Sequence, residues 1–345
     1  MKPRIAITVG DYNGIGPEVV LKGITHPSLS NVCTPILVGP EDVFSFYAKR
    51  LGIRIRLSSV DMNGNTKEMR LRERRDGFVA CVTPIGTGRV RIAPGRIAAG
   101  AGRLAALAIE KAVELACTGA VHGIVTAPVS KQALHRAGVK FPGQTEMLQY
   151  LSSSRHVAMM LVSDTMRVGL ATMHIPIREV SRMLTRSLLR DRISVIHRAL
   201  VTDWRIRSPR LAVLGLNPHA GEGGDIGKED KLVIAPVIRK FRESNIHVDG
   251  PFPADSFFGR FSPDTYDAVV AMYHDQGLIP LKMSSFGKAV HVSAGLSIVR
   301  TSPDHGTAFD IAGKGIADPG SMIEAITLAV RISRNRRMMQ RAGKQ

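Results

Sequence analysis

Apolar and polar residues alternate along the chain in blocks that predict strands and helices in turn. Arg4–Val9 is a short apolar run closed by Gly10, which reads as a buried strand, and Pro17 marks the start of the next helix. Ala98–Cys117 is rich in alanine with apolar residues at helical spacing, which predicts one long helix. Gly123–Thr126 reads as a strand, followed by Pro128 and a helix from about Ser130 to Arg136. Val157–Val162 and Arg167–His174 are strand-like runs joined by Ser163-Asp164-Thr165, the pattern of a hairpin. Arg190–Trp204 is helical in period, Leu211–Leu216 and Tyr266–Tyr273 are strands rich in Val, Leu and Ala, and Pro319–Met339 is an amphipathic helix. Strands alternating with helices predict an α/β fold with open parallel or mixed sheets. The hairpin region suits a second subdomain that makes the domains discontinuous.

Three of the strand patterns end in the same way. Ala171-Thr172-Met173-His174-Ile175-Pro176, Gly215-Leu216-Asn217-Pro218-His219-Ala220-Gly221 and Ala271-Met272-Tyr273-His274-Asp275-Gln276-Gly277 each place a histidine among turn residues after a strand. Ligands of open α/β sheets bind outside the carboxyl ends of strands, so these histidines are candidates to converge. A single one would read as a surface or hydrogen-bonded histidine; three in one topological place suggest a divalent metal with a position left for substrate. Their wide separations exclude a zinc-finger spacing. Pro218–Gly224 is a glycine-rich turn whose backbone can approach a ligand closely. Gly143-Gln144-Thr145-Glu146 precedes an apolar run, with Thr145 as the expected N-cap of a helix that would welcome an anion. Lys282 and Arg300 add charge-assisted donors near the third histidine and the strand after it.

Composition narrows the class without naming it. The 345 residues allow one large or two closely packed domains, and no apolar run reaches the roughly 20 residues of a membrane span. Met1-Lys2-Pro3-Arg4 leads into a strand pattern rather than a signal segment, and three scattered cysteines without CxxC spacing fit a reducing cytoplasm. The net charge of +18 raises nucleic acid as a partner. Its denser stretches, Arg70–Arg75 and Arg331–Arg341, lack interleaved aromatics, so solvated helix faces and a basic tail are the preferred reading, and neither nucleic acid nor membrane is expected.

Longer motifs carry a family resemblance. Gly10-Asp11 with Gly14-Ile15-Gly16-Pro17-Glu18, Thr126-Ala127-Pro128 with Lys131, Pro142–Glu146, Leu216–Gly224, Ala271–Gly277, and Arg300-Thr301-Ser302 with Asp304–Ala308 together resemble the 4-hydroxythreonine-4-phosphate dehydrogenases. The resemblance implies a divalent ion (zinc, cobalt, manganese or magnesium) on His174, His219 and His274, and substrate contacts at Thr145, Lys282 and Arg300. It places Gln144 and His291 at two further substrate positions, where the family usually has histidine and asparagine. It implies NAD-linked oxidation and decarboxylation of 4-phosphohydroxy-L-threonine, with D-threonate or D-erythronate 4-phosphate as the alternative. Lys282 and Asp275 are the candidate proton acceptors, and a homodimer with shared active sites is the expected assembly.

His305–Pro319 in turn resembles the nicotinamide-cofactor loop of isopropylmalate dehydrogenases, which implies His305, Thr307, Ala308, Asp310 and Asp318 as cofactor contacts. Asp310 would accept ribose hydroxyls and repel a 2′-phosphate, so NAD is expected over NADP. This likeness implies an α/β fold of the isocitrate/isopropylmalate dehydrogenase type, with two subdomains of open mixed sheets and the active site in the cleft between them. The expected subdomains are 1–140 plus 285–345 on the cofactor side and 141–284 on the metal and substrate side.

Overall fold

A computed structural model describes residues 2–60, 78–141, 143–285 and 287–342. The basic stretch Arg70–Arg75 and Pro142 lie outside the described residues. Along the chain run β1 (Arg4–Thr8), α1 (Gly16–Ile24), β2 (Thr34–Val38), α2 (Glu41–Arg50), β3 (Arg56–Val60), β4 (Phe78–Val82), α3 (Ala99–Cys117), β5 (Gly123–Val125), α4 (Lys131–Arg136) and α5 (Gln144–Leu151). Then come β6 (Ala158–Val162), β7 (Arg167–Leu170), α6 (Ile177–Met183), α7 (Arg186–Asp203), β8 (Leu211–Leu214), α8 (Ala235–Glu243), β9 (Val248–Phe252), α9 (Ala254–Gly259), β10 (Ala268–Ala271), α10 (His274–Ser285) and β11 (Val290–Ala294). β12 (Arg300–Pro303) and α11 (Gly320–Ala342) close the order.

The chain divides into two compact units, Met1–Ser154 with Leu296–Arg334, and Arg155–Gly295 with Asn335–Gln345. In the first, strands run in the order β3-β4-β2-β1-β5-β12, all parallel. β1 is central, and its residues from Ile5 onward are fully buried, which is why its sequence reads as an unbroken apolar run. Pro17 occupies the first turn of α1, where its missing N–H is no loss. Ser130 caps α4 by accepting from the Ala133 amide at 3.1 Å. At Gly102 a Cβ atom would stand 2.1 Å from the Ala133 carbonyl oxygen, so the crossing of α3 and α4 requires glycine there.

The second unit has the order β11-β6-β7-β10-β8-β9. β6 pairs antiparallel with both β11 and β7, the latter as the expected hairpin, while β7, β10, β8 and β9 are mutually parallel. Every residue of β6, β8 and β10 is buried. Leu161, Val168, Leu170, Leu214, Val269, Ala271, Leu278 and Leu281 form a core under the sheet. Asp203, at the end of α7, is buried and receives Arg336 Nε at 2.6 Å and Nη2 at 2.9 Å. The fold is α/β, and no helix among the described residues is long and apolar enough to cross a membrane.

Two local expectations change. α5 begins at Gln144 with Gly143 as its N-cap and no side-chain cap bond, so Thr145 is a first-turn residue rather than the cap. The third histidine motif is not a turn: His274 is the first residue of α10. The patterns also ran two to four residues past the strands, which stop at Leu170, Leu214 and Ala271, because the flanking apolar residues continue into the loops.

Candidate active site

In the second unit β10 lies between β7 and β8, parallel to both, with Ala271 beside Leu170 and Val270 beside Val213. Three adjacent strands therefore deliver their carboxyl ends, and the segments bearing His174, His219 and His274, to one sheet edge. Polar bonds tie those segments together. Thr172 N and Oγ1 both donate to the Met272 carbonyl, at 3.2 and 2.7 Å. The Gln276 side chain spans the other gap, accepting from Met272 N and donating to the Gly215 carbonyl, both at 2.6 Å.

His174 sits at φ 38°, a left-handed conformation that non-glycine residues adopt at a cost, and its ring lies 5.6 Å from that of His274, centroid to centroid. His274 Nδ1 is 2.7 Å from Asp275 Oδ1, a contact that orients the ring through its Nδ1 edge. These two histidines and Asp275 help to line a cavity of about 270 Å³ with Thr172, Met173 and Tyr273.

His219 enters through a different device. Residues His219, Ala220, Gly221, Glu222 and Gly223 all have positive φ, a left-handed turn that three non-glycine residues are held in. Its anchor is Asp230, a buried carboxylate that accepts from Leu216 N at 2.8 Å, Asn217 N at 3.1 Å and Asn217 Nδ2 at 2.9 Å. Glu229 takes a further bond from Asn217 Nδ2, and its hydrogen bonds from Ser181 and Asn217 lower its pKa. Thus the structure brings His174 and His274 side by side and delivers His219 to the same edge. Among the described residues no three His, Cys, Asp or Glu side chains are drawn into a metal-holding cluster. Lys282 is half-buried on α10, and His291 is half-buried on β11 opposite Leu161.

In the first unit Arg300 opens β12, 6% exposed. Its Nε and Nη2 reach Thr126 Oγ1 at 3.1 and 2.7 Å, and Nη2 reaches Gln144 Oε1 at 3.0 Å. Burial pushes the guanidinium down to about 10, so it stays charged at neutral pH. A guanidinium has no acceptor, so the carbonyl end of Gln144 must face it and the amide end is turned elsewhere as a donor. Thr145 follows in the first turn of α5.

The loop from His305 to Asp318 joins β12 to α11. Ile15 N donates to the Thr307 carbonyl at 2.9 Å, and a Cβ at Gly14 would stand 2.7 Å from that oxygen, so the glycine turn packs directly on the loop. Ala308 is held at φ 39°, and Asp310 is exposed. Asp318 accepts from Gly320 N, the first residue of α11, at 2.8 Å. His305 Nε2 is buried without a hydrogen-bond partner, and burial lowers the pKa of its ring. Sequence reasoning did not single out Asp230 or Gln276; Gln276 lies within the third histidine motif, whereas Asp230 lies beyond the glycine-rich turn that ends at Gly224.

The profile of pyridoxal phosphate biosynthetic protein PdxA matches residues 31–329. The chain belongs to the PdxA family. The 4-hydroxythreonine-4-phosphate dehydrogenase of Bacteroides thetaiotaomicron is 39% identical over 97% of this chain and 90% of its own length. The D-threonate 4-phosphate dehydrogenase of Cupriavidus necator is 39% identical over 97% and 98%. The crystal structure of the Klebsiella pneumoniae 4-hydroxythreonine-4-phosphate dehydrogenase superposes with a TM-score of 0.84 at 37% identity, over 96% of this chain and 98% of that one. As a PdxA-family member the chain is a dehydrogenase, an oxidoreductase acting on a CH–OH group.

Proposed function

We propose that this PdxA-family chain catalyses a metal-dependent, NAD-linked oxidation and decarboxylation of 4-phosphohydroxy-L-threonine, giving 3-amino-2-oxopropyl phosphate for pyridoxal phosphate synthesis. The observation that carries this reading is the set of three parallel neighbours, β7, β10 and β8, followed by His174, His274 and His219, with two of the rings already 5.6 Å apart. Imidazoles with one carboxylate-oriented nitrogen are the donor set of a divalent first-row ion.

A divalent ion on His174, His219 and His274 would supply Lewis acidity toward the substrate's hydroxyl and ketone oxygens. NAD would supply the hydride acceptor. Asp275 orients His274 through the 2.7 Å contact, and Lys282 and Asp275 are the two candidate acceptors of the hydroxyl proton. Arg300, Thr145 and Lys282 hold the phosphate and carboxylate, with Gln144 and His291 completing the substrate contacts. Oxidation beta to the carboxylate makes a keto acid whose carbon dioxide leaves readily. His305, Thr307, Ala308, Asp310 and Asp318 receive the cofactor, and Asp310 selects NAD over NADP. A homodimer with shared active sites and a cytoplasmic location belong to the same reading, which the free cysteines Cys33, Cys81 and Cys117 suit.

A second reading, the same chemistry on D-threonate or D-erythronate 4-phosphate, is favoured by Gln144. With its oxygen taken by Arg300, its amide can offer only donors to a ligand, which suit a hydroxyl better than an ammonium group. The test is NADH formation from each phosphorylated acid with NAD or NADP, with and without a chelator. Chelator-sensitive turnover of the amino acid supports the first reading, and turnover of the sugar acids alone moves it to the second. Turnover that survives complete metal removal would sink the metal assignment, and better kinetics with NADP would sink the role of Asp310.

A further inference from the structure

We infer that Glu18 and Lys22 are positioning residues for the cofactor, a pair that fixes the far half of the His305–Asp318 loop in its binding shape; the inference rests on the reading of that loop as the NAD site. The two residues lie one turn apart on α1 and pair at 2.9 Å, with the Glu18 side chain 0% and the Lys22 side chain 24% exposed. Both are turned onto the backbone of two alternate loop residues. Glu18 Oε1 accepts from Ala317 N at 2.9 Å and Oε2 from Gly315 N at 3.3 Å. Lys22 Nζ donates to the Gly315 and Ala317 carbonyls, both at 2.8 Å. Two side chains thus satisfy both backbone groups of both residues, much as a neighbouring strand would.

The charge placement shows that loop shape is what the pair secures. A fully buried carboxylate is costly unless its lone pairs are filled, and here one ammonium and two amides fill them. The one large apolar side chain of the clamped segment does not anchor it, since Ile316, between the two clamped residues, is 66% exposed. Arg50 adds one more tie, from Nε to the Gly313 carbonyl at 2.6 Å. The clamp holds the segment between Asp310 and Asp318, two of the residues assigned to the cofactor, and touches nothing assigned to the metal or the phosphorylated acid.

The experiment compares the full-length enzyme with Lys22→Met, Lys22→Arg and Glu18→Gln. Lys22→Met keeps the apolar stem and removes three bonds while the two loop amides still serve Glu18, and circular dichroism checks that the variant is folded. Its KM for NAD should rise about tenfold, with the same rise in the NAD dissociation constant by titration calorimetry. Meanwhile kcat at saturating NAD and KM for the phosphorylated acid should change less than about twofold. Lys22→Arg should recover most of the affinity, and Glu18→Gln should match Lys22→Met in direction. If the wild-type protein binds no NAD, the reading of the loop falls and takes this inference with it. If the wild type binds NAD and Lys22→Met binds it equally well, or loses kcat in proportion to folded protein, the inference alone is overturned.

Discussion

Arg300 is a charged side chain almost wholly out of water, yet two of its acceptors are a hydroxyl and a carboxamide. The planar fork reaches Thr126 and Gln144 at once, which a lysine ammonium on a single stem cannot reproduce. Arg300→Lys should therefore lower kcat/KM for the phosphorylated acid about a hundredfold, mainly through KM, while NAD affinity stays near wild type. A loss confined to kcat would show that Arg300 does not hold the substrate. Asp11 is the opposite case, a fully buried carboxylate with Oδ2 unpartnered, whose pKa burial raises from 3.8 to about 6. A carboxyl raised on folding binds more protons in the native state between these values, so stability falls as pH rises through that window and the whole cost is present above it. Asp11→Asn keeps the Oδ1 acceptor for Asn13 N and removes the charge. It should stabilise the protein by about 2 kcal/mol near about pH 8 and by almost nothing near about pH 4, in urea melts at the two pH values. Equal effects at both would show that Asp11 is not titrating in that range.

At the level of elements, side chains add to the backbone bonds that join the three strand ends, Thr172 Oγ1 across one gap and Gln276 across the other. The Gln276 side chain bridges the β10 and β8 ends, two residues beyond His274. Gln276→Leu fills the same space without either bond, leaving Met272 N and the Gly215 carbonyl unsatisfied. Metal affinity should fall about tenfold by competition with a chromogenic chelator, as for other groups that orient ligands from behind. Unchanged metal affinity would mean that His219 and His274 keep their places without this strap. This is also where the sequence ceases to be legible. The strands and the histidines that follow them are legible in unbroken apolar runs such as Leu211–Leu214 and Ala268–Ala271, which burial on both faces produces, whereas the order β7-β10-β8 is set by pairing between distant segments. The left-handed turn at His219 and the helix opening at His274 do not follow, since both are set by contacts to Asp230 and Gln276 that are distant in sequence or hidden inside a motif. Thr145 misleads for a related reason: threonine is a good cap, but Gly143 already has the extended conformation that the cap position needs.

For the whole molecule the governing quantity is the net charge of +18. Part of it is already committed within the fold. On the basic helix α11, Arg336 is bound to Asp203 and Arg334 donates to the Val32 carbonyl, so that face is less a bare cationic stripe than the sequence suggests. What remains is a diffuse positive field, and its physical consequence is faster encounter with a small polyanion rather than a shaped nucleic-acid surface. The substrate proposed here is such an anion. Raising salt from about 50 to about 500 mM should therefore reduce kcat/KM several-fold through screening, since the Debye length shrinks from about 14 to about 4 Å, with kcat itself little changed. A nucleic-acid-binding function predicts a different pattern: tight binding of duplex or single-stranded DNA at low salt, lost steeply as log Kd against log salt, and indifferent to NAD and metal. The two can be measured on one preparation. A salt-insensitive kcat/KM together with such DNA binding would reassign the charge from substrate capture to a polymeric partner; salt-sensitive kcat/KM with only weak DNA association assigns it to steering.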